Sequence, residues 1–343
     1  MRTTSSATHP RPLLRCAALL AGASALSLLV GCQSKPGDAT STDQTLPAAT
    51  GTGADQLSAG EEALRSGDRA RALSEFAKAI EVNPQLVTAH MAVGDIHRES
   101  GDYVAAEKAY ASAARLDPGN FDAQFYHGLM LHLTQRITDA IRAYLKALAV
   151  RPDDFQANLN LATAYYQLGE SRQALPYAQR SVALNPSDGP ARFNLGAVYA
   201  SLDNHQAAVT EYQQAAELMP LSAGLLLNLS ESYGRLGRWT EMRNTLQQLV
   251  QTEPSPAAHE RLGSAHFRLN DFGSALQSFQ AALTLDPNYF PALNGVGVCE
   301  LNTWILSDRT DLAARQRGVE ALRRSIQLNR SQPRVEELLS RYR

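Results

Sequence analysis

Apolar residues recur at helical spacing, three or four positions apart, in one segment after another of this chain, as in TAHMAVGDIHRES. This spacing predicts amphipathic helices, because residues three and four apart share one helix face. The segments come in pairs. Residues that tolerate a left-handed backbone follow the first segment of a pair, and a proline, which cannot continue a helix, follows the second. The pattern therefore predicts helical hairpins over most of the chain.

The prolines that end the second helices are evenly spaced. They stand 34 residues apart, with a last interval of 33, at Pro84, Pro118, Pro152, Pro186, Pro220, Pro254 and Pro287. A fixed period of this length indicates a stack of hairpins in which each unit packs only on its neighbours. Such a stack presents a long surface on which other proteins bind.

Other columns align when each unit is numbered so that this proline is position 32. Position 8 is small: Gly60, Gly94, Gly128, Ala162, Gly196, Ser230, Gly263 and Gly297. Position 24 is bulky in most units: Phe76, Tyr110, Tyr144, Tyr212, Leu246 and Phe279. Small residues at positions 8, 20 and 27 would let helices approach closely, and the bulky residue would fill the remaining space. Position 15 is the predicted turn, at Gly67, Gly101, Gly169, Asp203, Gly237 and Asn270.

These columns resemble the tetratricopeptide repeat (TPR) family, whose pattern is best met by residues 189–222. That unit carries Leu195, Gly196, Tyr199, Ala208, Tyr212 and Pro220. The resemblance covers about eight units and implies an all-α, right-handed α-solenoid. Residues 333–343 are predicted to form a polar helix that caps the last apolar face.

Three departures from the repeat carry expectations of their own. The sixth unit is one residue short and has Met242 where a small residue is expected, so its second helix should pack with a local shift. Pro176 falls within the fourth unit's second helix, which should therefore start late or kink. The stretch around Asp308–Arg315 reads as an insertion of about nine residues in the eighth unit.

The N-terminus has the layout of a secretory signal, with basic residues and then an apolar run from Cys16 to Val30. The run ends in Leu-Val-Gly-Cys, which resembles a bacterial lipobox and implies cleavage before Cys32 and acylation of that cysteine. A conventional signal peptide with an incidental cysteine is the alternative. The predicted organisation is a signal over 1–31, the lipidated cysteine and a flexible linker over 32–53, the array over 54–332 and the cap over 333–343. Gln33 after the cysteine favours the outer membrane, facing the periplasm, in a Gram-negative host.

Charge argues against nucleic acid as a partner, because the chain has a net charge of −2 and no basic stripe with interleaved aromatics. Arginines cluster near the C-terminus. They could form a solvated face, or a docking patch for an acidic partner or lipid headgroups. No phosphate-binding loop, paired-carboxylate site or nucleophile elbow is visible, so no catalytic residue, cofactor or metal is predicted. The lone Cys299 is expected to be a small buried hydrophobe.

The resemblance places function on the concave face, which the first helices line. Asn160, Asn194 and Asn228 occupy position 6 of three consecutive units and could grip the backbone of an extended peptide. Similar asparagine ladders occur in the TPR superhelix of O-linked N-acetylglucosamine transferases. The asparagines could equally bridge adjacent helices. Aromatic anchors are predicted beside them at Phe125, Tyr126, Tyr166, Phe193 and Phe267.

The sequence thus predicts a membrane-anchored adaptor that holds a protein or extended peptide and organises a cell-envelope complex, of the pilus, secretion or cell-wall type. The alternative is the substrate-recruiting arm of an envelope transferase or other enzyme whose catalytic part is a separate chain. The identity of the partner and the oligomeric state stay open.

Overall fold

The computed structural model describes residues 53–342, and within that range the chain forms α-helices and no β-strand. The predicted all-α solenoid is confirmed. Cys32 and the rest of the predicted signal and linker lie outside the described residues. The helices are α1 (Ala54–Arg65), α2 (Arg69–Val82), α3 (Val87–Glu99), α4 (Tyr103–Leu116), α5 (Phe121–Leu133), α6 (Ile137–Val150), α7 (Phe155–Gln167), α8 (Ser171–Leu184), α9 (Gly189–Ser201), α10 (His205–Leu218), α11 (Ala223–Arg235), α12 (Trp239–Thr252), α13 (Pro256–Arg268), α14 (Phe272–Leu285), α15 (Phe290–Leu306), α16 (Leu312–Leu328) and α17 (Pro333–Tyr342).

Short polar side chains at two fixed repeat positions begin many of these helices. Asp68 accepts a hydrogen bond from the Arg71 amide at the start of α2, and Asp154 accepts one from the Ala157 amide at the start of α7. Each such cap satisfies one of the amides that the first turn of a helix leaves without a partner. Equivalent caps come from Asp102, Asn120, Asp188, Asn204, Ser222, Ser255, Asp271 and Asp311.

The turn inside each of the first seven hairpins contains one residue with a positive φ. All six predicted turn residues have φ between 60° and 80°, as at Gly67 and Asn270. The third hairpin turns at Gln135, with φ 63°, which the sequence did not single out because glutamine carries no mark of this conformation.

The close approach predicted within each hairpin occurs between positions 8 and 24. A Cβ placed on Gly196 would lie 2.6 Å from Cε1 of Tyr212, a ring that is 1% exposed. Gly60, Gly94, Gly128 and Gly263 meet Phe76, Tyr110, Tyr144 and Phe279 in the same way. In the fourth hairpin Ala162 replaces the glycine and Ala178 replaces the ring, and both are fully buried. The two positions therefore compensate one another in volume.

The sixth and fourth hairpins accommodate their unusual residues without losing register. α12 begins and ends at the usual repeat positions, Met242 packs near Gly234, and the missing residue is taken from the following loop, 253–255. The expectation that Pro176 delays its helix is wrong, because α8 starts at Ser171 with Pro176 inside it. Pro176 and Arg172, whose carbonyl loses its helical partner, are both exposed, so water can satisfy that carbonyl.

The insertion in the eighth unit is a longer hairpin rather than an added loop. α15 and α16 each have 17 residues, against 13 and 14 in the preceding hairpins, and five residues rather than three connect them. α17 then covers the end of the stack, with Leu339 buried beside Leu301, Val319 and Leu322. This agrees with the predicted capping helix.

The two sides of the stack differ in how closely consecutive helices pack. First helices of consecutive hairpins pack on one another, as α5 does on α7, α7 on α9, and α13 on α15. Consecutive second helices do not pack closely in the described part of the chain. The first helices therefore line the inner, concave face, as the resemblance implied.

Candidate binding groove

A row of side chains runs along the concave face, one from each of four consecutive first helices. Tyr126, Asn160, Asn194 and Asn228 occupy the same repeat position on α5, α7, α9 and α11. Asn194 points toward α7, because its Nδ2 donates a hydrogen bond to the Thr163 hydroxyl oxygen at 2.9 Å. The helix-to-helix packing therefore sets the spacing of the row. We call these four residues the polar row.

The three asparagines differ in their hydrogen bonds. Asn194 bridges two first helices through Thr163, while its Oδ1 is buried without a partner. Asn160 is 5% exposed, and its side chain makes no hydrogen bond to another described residue. Asn228 is half-buried and likewise has no side-chain bond within residues 53–342. The interpretation that the asparagines bridge adjacent helices therefore holds for Asn194 Nδ2, and not for Asn160 or Asn228.

Phe125 and Phe193 take part in packing inside their own hairpins. The ring of Phe125 lies 6.0 Å from that of Tyr144, and the ring of Phe193 lies 5.7 Å from that of Tyr212. Both are half-buried, so each leaves part of its ring toward the concave side. Their role as anchors for a partner remains a prediction.

Tyr126 belongs to a cluster that the sequence did not reveal. Its ring stacks on Tyr110 at 5.4 Å, and the Arg98 guanidinium lies 5.1 Å above it. The Tyr110 hydroxyl donates to Asp95 Oδ1 at 2.7 Å, and Arg98 Nε donates to the Tyr110 oxygen at 3.1 Å. Burial, together with the Asp95 charge, raises the pKa of Tyr110 well above its ordinary value, so this hydroxyl stays a donor. The available signal was the pair of charged residues Asp95 and Arg98, three positions apart on the first helix of the second unit.

Three further ring side chains lie toward the turn ends of their helices: the predicted anchors Tyr166 and Phe267, and His132. Tyr166 is half-buried, and burial raises the pKa of its hydroxyl. His132, 2% exposed, contacts Gln167 Oε1 through Nε2 at 2.9 Å and Tyr144 through Nδ1 at 3.4 Å, while burial lowers its pKa. Phe267 packs edge-to-face on Phe272 at 5.1 Å, in the seventh hairpin. The structure therefore does not bring Phe267 to the polar row.

Charged groups flank the polar row on its C-terminal side. Arg261 Nη1 lies 3.6 Å from Glu231 Oε2, and Arg235 Nε lies 3.3 Å from Glu231 Oε1. Arg261 and Arg235 therefore share one carboxylate at the edge of the groove.

Sequence-family models identify the repeat. A model described as tetratricopeptide repeat matches residues 57–121, 159–223 and 227–290, more than half of the chain, and a model described as TPR repeat matches residues 128–169. The chain belongs to the tetratricopeptide repeat family. TPR arrays are generally non-catalytic scaffolds for protein–protein interaction, and this array has the extended concave surface that such scaffolds use.

Solved structures with likeness to this TPR array have low identity to it. A tetratricopeptide repeat protein from Parabacteroides merdae is 18% identical and aligns over 75% of this chain and 98% of its own, with a TM-score of 0.49. YrrB, described as a TPR protein with an unusual peptide-binding site, is 18% identical over 58% of this chain and 98% of its own, with a TM-score of 0.49. Pseudomonas aeruginosa pilF is 20% identical over 59% of this chain and 92% of its own, with a TM-score of 0.47. A sequence search of curated proteins gave no match.

Two further properties of the TPR array bear on its chemistry. Cys299 is 1% exposed, and burial raises the pKa of its thiol to about 12, as expected of a packing residue rather than a nucleophile. Within residues 53–342 there is no helix long and apolar enough to span a bilayer.

Proposed function

We propose that the concave groove of this TPR array binds an extended polypeptide segment along the polar row. The observation that carries the proposal is Asn160, a side chain that is 5% exposed yet makes no hydrogen bond to another described residue. Neither amide atom of Asn160 is fully enclosed, so both meet solvent rather than a partner within the described residues. Their free hydrogen-bonding capacity is available to a ligand in the groove.

An extended peptide is the ligand that matches this row. An asparagine side chain offers a donor and an acceptor, and peptide backbone presents both at regular intervals. Asn194 and Asn228 add amides on the next two first helices, although Asn194 Oδ1 is enclosed and would reach a peptide only after its side chain turns. Recognition of this kind reads the partner's backbone, and the aromatic surfaces of Tyr126 and Tyr166 would select among its side chains.

A site-specific crosslink tests where the partner binds. A benzophenone amino acid placed at Asn228 should capture the partner in membranes from the native host, because this half-buried position faces the groove. The matched control is Gln247, exposed on the second helix of the same hairpin. Mass spectrometry of the products identifies the bound segment. Equal capture from both positions would place the partner outside the groove.

We further propose that the array acts as an adaptor in the cell envelope. A lipid on Cys32, followed by the 21-residue linker, would hold the array near a membrane while leaving the groove free to recruit components of a pilus, secretion or cell-wall complex. Its support is the order of basic residues, apolar run and Leu-Val-Gly-Cys in the sequence. A catalytic subunit among the crosslinked partners would instead favour the substrate-recruiting alternative.

Lipidation makes a prediction that is independent of the groove. The wild-type chain should incorporate a palmitate analogue and partition into detergent, and Cys32→Ala should abolish both, because the acylated side chain is gone. Cys16→Ala is the control, since Cys16 would leave with the signal and should label normally. An unlabelled wild type that remains in the aqueous phase would remove the anchor from the proposal and leave groove binding untouched.

A further inference from the structure

The last hairpin reaches beyond the rest of the array. α15 and α16 exceed their counterparts by four and three residues, which at about 1.5 Å per residue places its turn roughly 5–6 Å further out. We call the end of this hairpin, residues 304–315, the tip. None of the seven preceding hairpins has helices of this length.

The tip exposes apolar side chains on both sides of its polar turn, residues 307–311. Leu306 and Leu312, on the two sides of the turn, are 66% and 67% exposed, the highest values for any large hydrophobic residue in the described range. Ile305 beside them is 41% exposed. Side chains of this size gain stability by leaving water, so a cluster of them at a protruding turn marks a contact surface.

An aromatic residue and two cations lie beside these leucines. Trp304 donates its indole N–H to the Arg309 carbonyl oxygen at 3.0 Å, and its ring meets Tyr342 edge-on at 5.8 Å. The guanidinium carbons of Arg309 and Arg315 each lie 5.8 Å from the Trp304 ring centre. The order from the end of the hairpin is therefore the polar turn with Arg309, the two leucines, and then Trp304 and Arg315 on the helices.

The backbone of the turn holds this order in place. Asp308 and Arg309 have φ values of 52° and 65°, two consecutive non-glycine residues in the left-handed region. Such a conformation costs free energy at each residue and persists only where surrounding contacts impose it. Here it aims the Arg309 carbonyl at Trp304. The tip is thus a shaped turn rather than a loose loop.

Charge separates this end of the chain from the rest of the array. Residues 305–343 contain nine arginines and five acidic residues, whereas residues 54–304 contain 19 basic and 27 acidic residues. Arg309, Arg315, Arg323 and Arg330 form no ion pair with an acidic side chain of the described residues. The final hairpin and the cap therefore carry an excess of unpaired positive charge, with Asp308 and Asp311 lying in the turn of the tip beside Arg309.

We propose that the tip is a membrane-surface contact that inserts shallowly into a bilayer containing anionic lipids. Leu306 and Leu312 would enter the outer acyl-chain region, Trp304 would lie at the interface, and the guanidiniums of Arg309 and Arg315 would pair with lipid phosphates. The extra helical turn matches the about 5–10 Å depth at which peripheral apolar groups bury in an interface. Pairing of this end with the same end of a second copy would bring like net charges together.

Fluorescence of Trp304 tests this inference. Trp239→Phe makes Trp304 the only tryptophan of the full chain. With phosphatidylglycerol–phosphatidylcholine vesicles carrying brominated acyl chains, its emission should shift to the blue and be quenched. Leu306→Ser with Leu312→Ser should weaken the binding that produces quenching at least tenfold, because the inserted apolar groups are lost. Arg309→Gln with Arg315→Gln should weaken it about tenfold or more, and added salt should do the same.

A complementary variant distinguishes insertion of the tip from binding to the vesicle through any other part of the protein. Trp304→Phe leaves Trp239, whose emission should stay unquenched even where the N-terminal segment brings the protein to lipid. Unquenched Trp304 on vesicles that sediment the protein would overturn the proposal. Quenching that the leucine substitutions leave unchanged would overturn it as well, and so would capture of the tip by an acidic protein with no lipid response. None of these results bears on groove binding or on Cys32.

Discussion

Gly196→Leu is expected to lower the free energy of unfolding by about 1–3 kcal/mol, because it adds a side chain where two helices already touch. Even a Cβ at this position would lie 2.6 Å from the Tyr212 ring, and the ring cannot retreat since it is 1% exposed and enclosed by its own hairpin. The helices must separate or the ring must leave its rotamer. Urea unfolding followed by circular dichroism measures the change.

Gly273→Leu is the matched control for this prediction. Gly273 also lies in a helix, but it is exposed, and a Cβ there meets nothing within 4 Å. Leucine should therefore be neutral or slightly stabilising at that position, because glycine is the poorer helix former. Equal destabilisation by both substitutions would mean that helix propensity, and not contact with position 24, governs these glycines.

A second substitution identifies the partner of Gly196. Tyr212→Ala alone should cost about 3–5 kcal/mol, as expected when a large buried ring is deleted. Combined with Gly196→Leu it should cost less than the sum, because the new side chain occupies part of the vacated space. Ala162 opposite Ala178 in the fourth hairpin is a natural example of the same exchange. Strict additivity would show that the two residues do not share this contact.

The features that the sequence predicted well are those encoded locally. Prolines, N-cap residues and left-handed turn residues each act on the backbone beside them, so the period alone placed most of the helices. Gln135 escaped prediction because glutamine has no preference for a positive φ, which the turn imposes through the bond from the Arg136 amide to the Leu131 carbonyl oxygen. Pro176 did not delay the start of α8, because the carbonyl that loses its helical partner belongs to an exposed residue and can bond to water.

Nonlocal features could be predicted only in part. The repeat register gives the number of residues in each unit. It therefore revealed about nine extra residues in the eighth unit, but not that they lengthen both helices. The position of the polar row followed from the repeat, yet the bond from Asn194 to Thr163 joins residues 31 apart and depends on how two hairpins meet. The cluster of Asp95, Arg98 and Tyr110 likewise forms only once α3 and α4 pack.

Replacing Asn160, Asn194 and Asn228 together by alanine is expected to weaken binding of the crosslinked peptide segment at least tenfold. Each lost amide removes one or two hydrogen bonds to the peptide, at about 0.5–1.5 kcal/mol net apiece. The structure predicts different effects for the three single substitutions. Asn194→Ala also removes the bond to Thr163 and should lower the melting temperature slightly, whereas Asn160→Ala and Asn228→Ala remove no side-chain bond to another described residue. Calorimetric titration and thermal melting measure the two effects.

Asn158 on the same helix as Asn160 decides between a binding role and a structural one. Its amide donates to the Pro152 and Asp154 carbonyl oxygens at 3.0 and 2.8 Å and is turned away from the groove, so Asn158→Ala should destabilise the fold and leave the affinity of the folded protein unchanged. Asn160→Ala with Asn228→Ala should do the reverse. If that pair instead lowers the melting temperature and spares affinity, the polar row is part of the packing between hairpins, and the partner binds through the cluster at Tyr126 or elsewhere on the array.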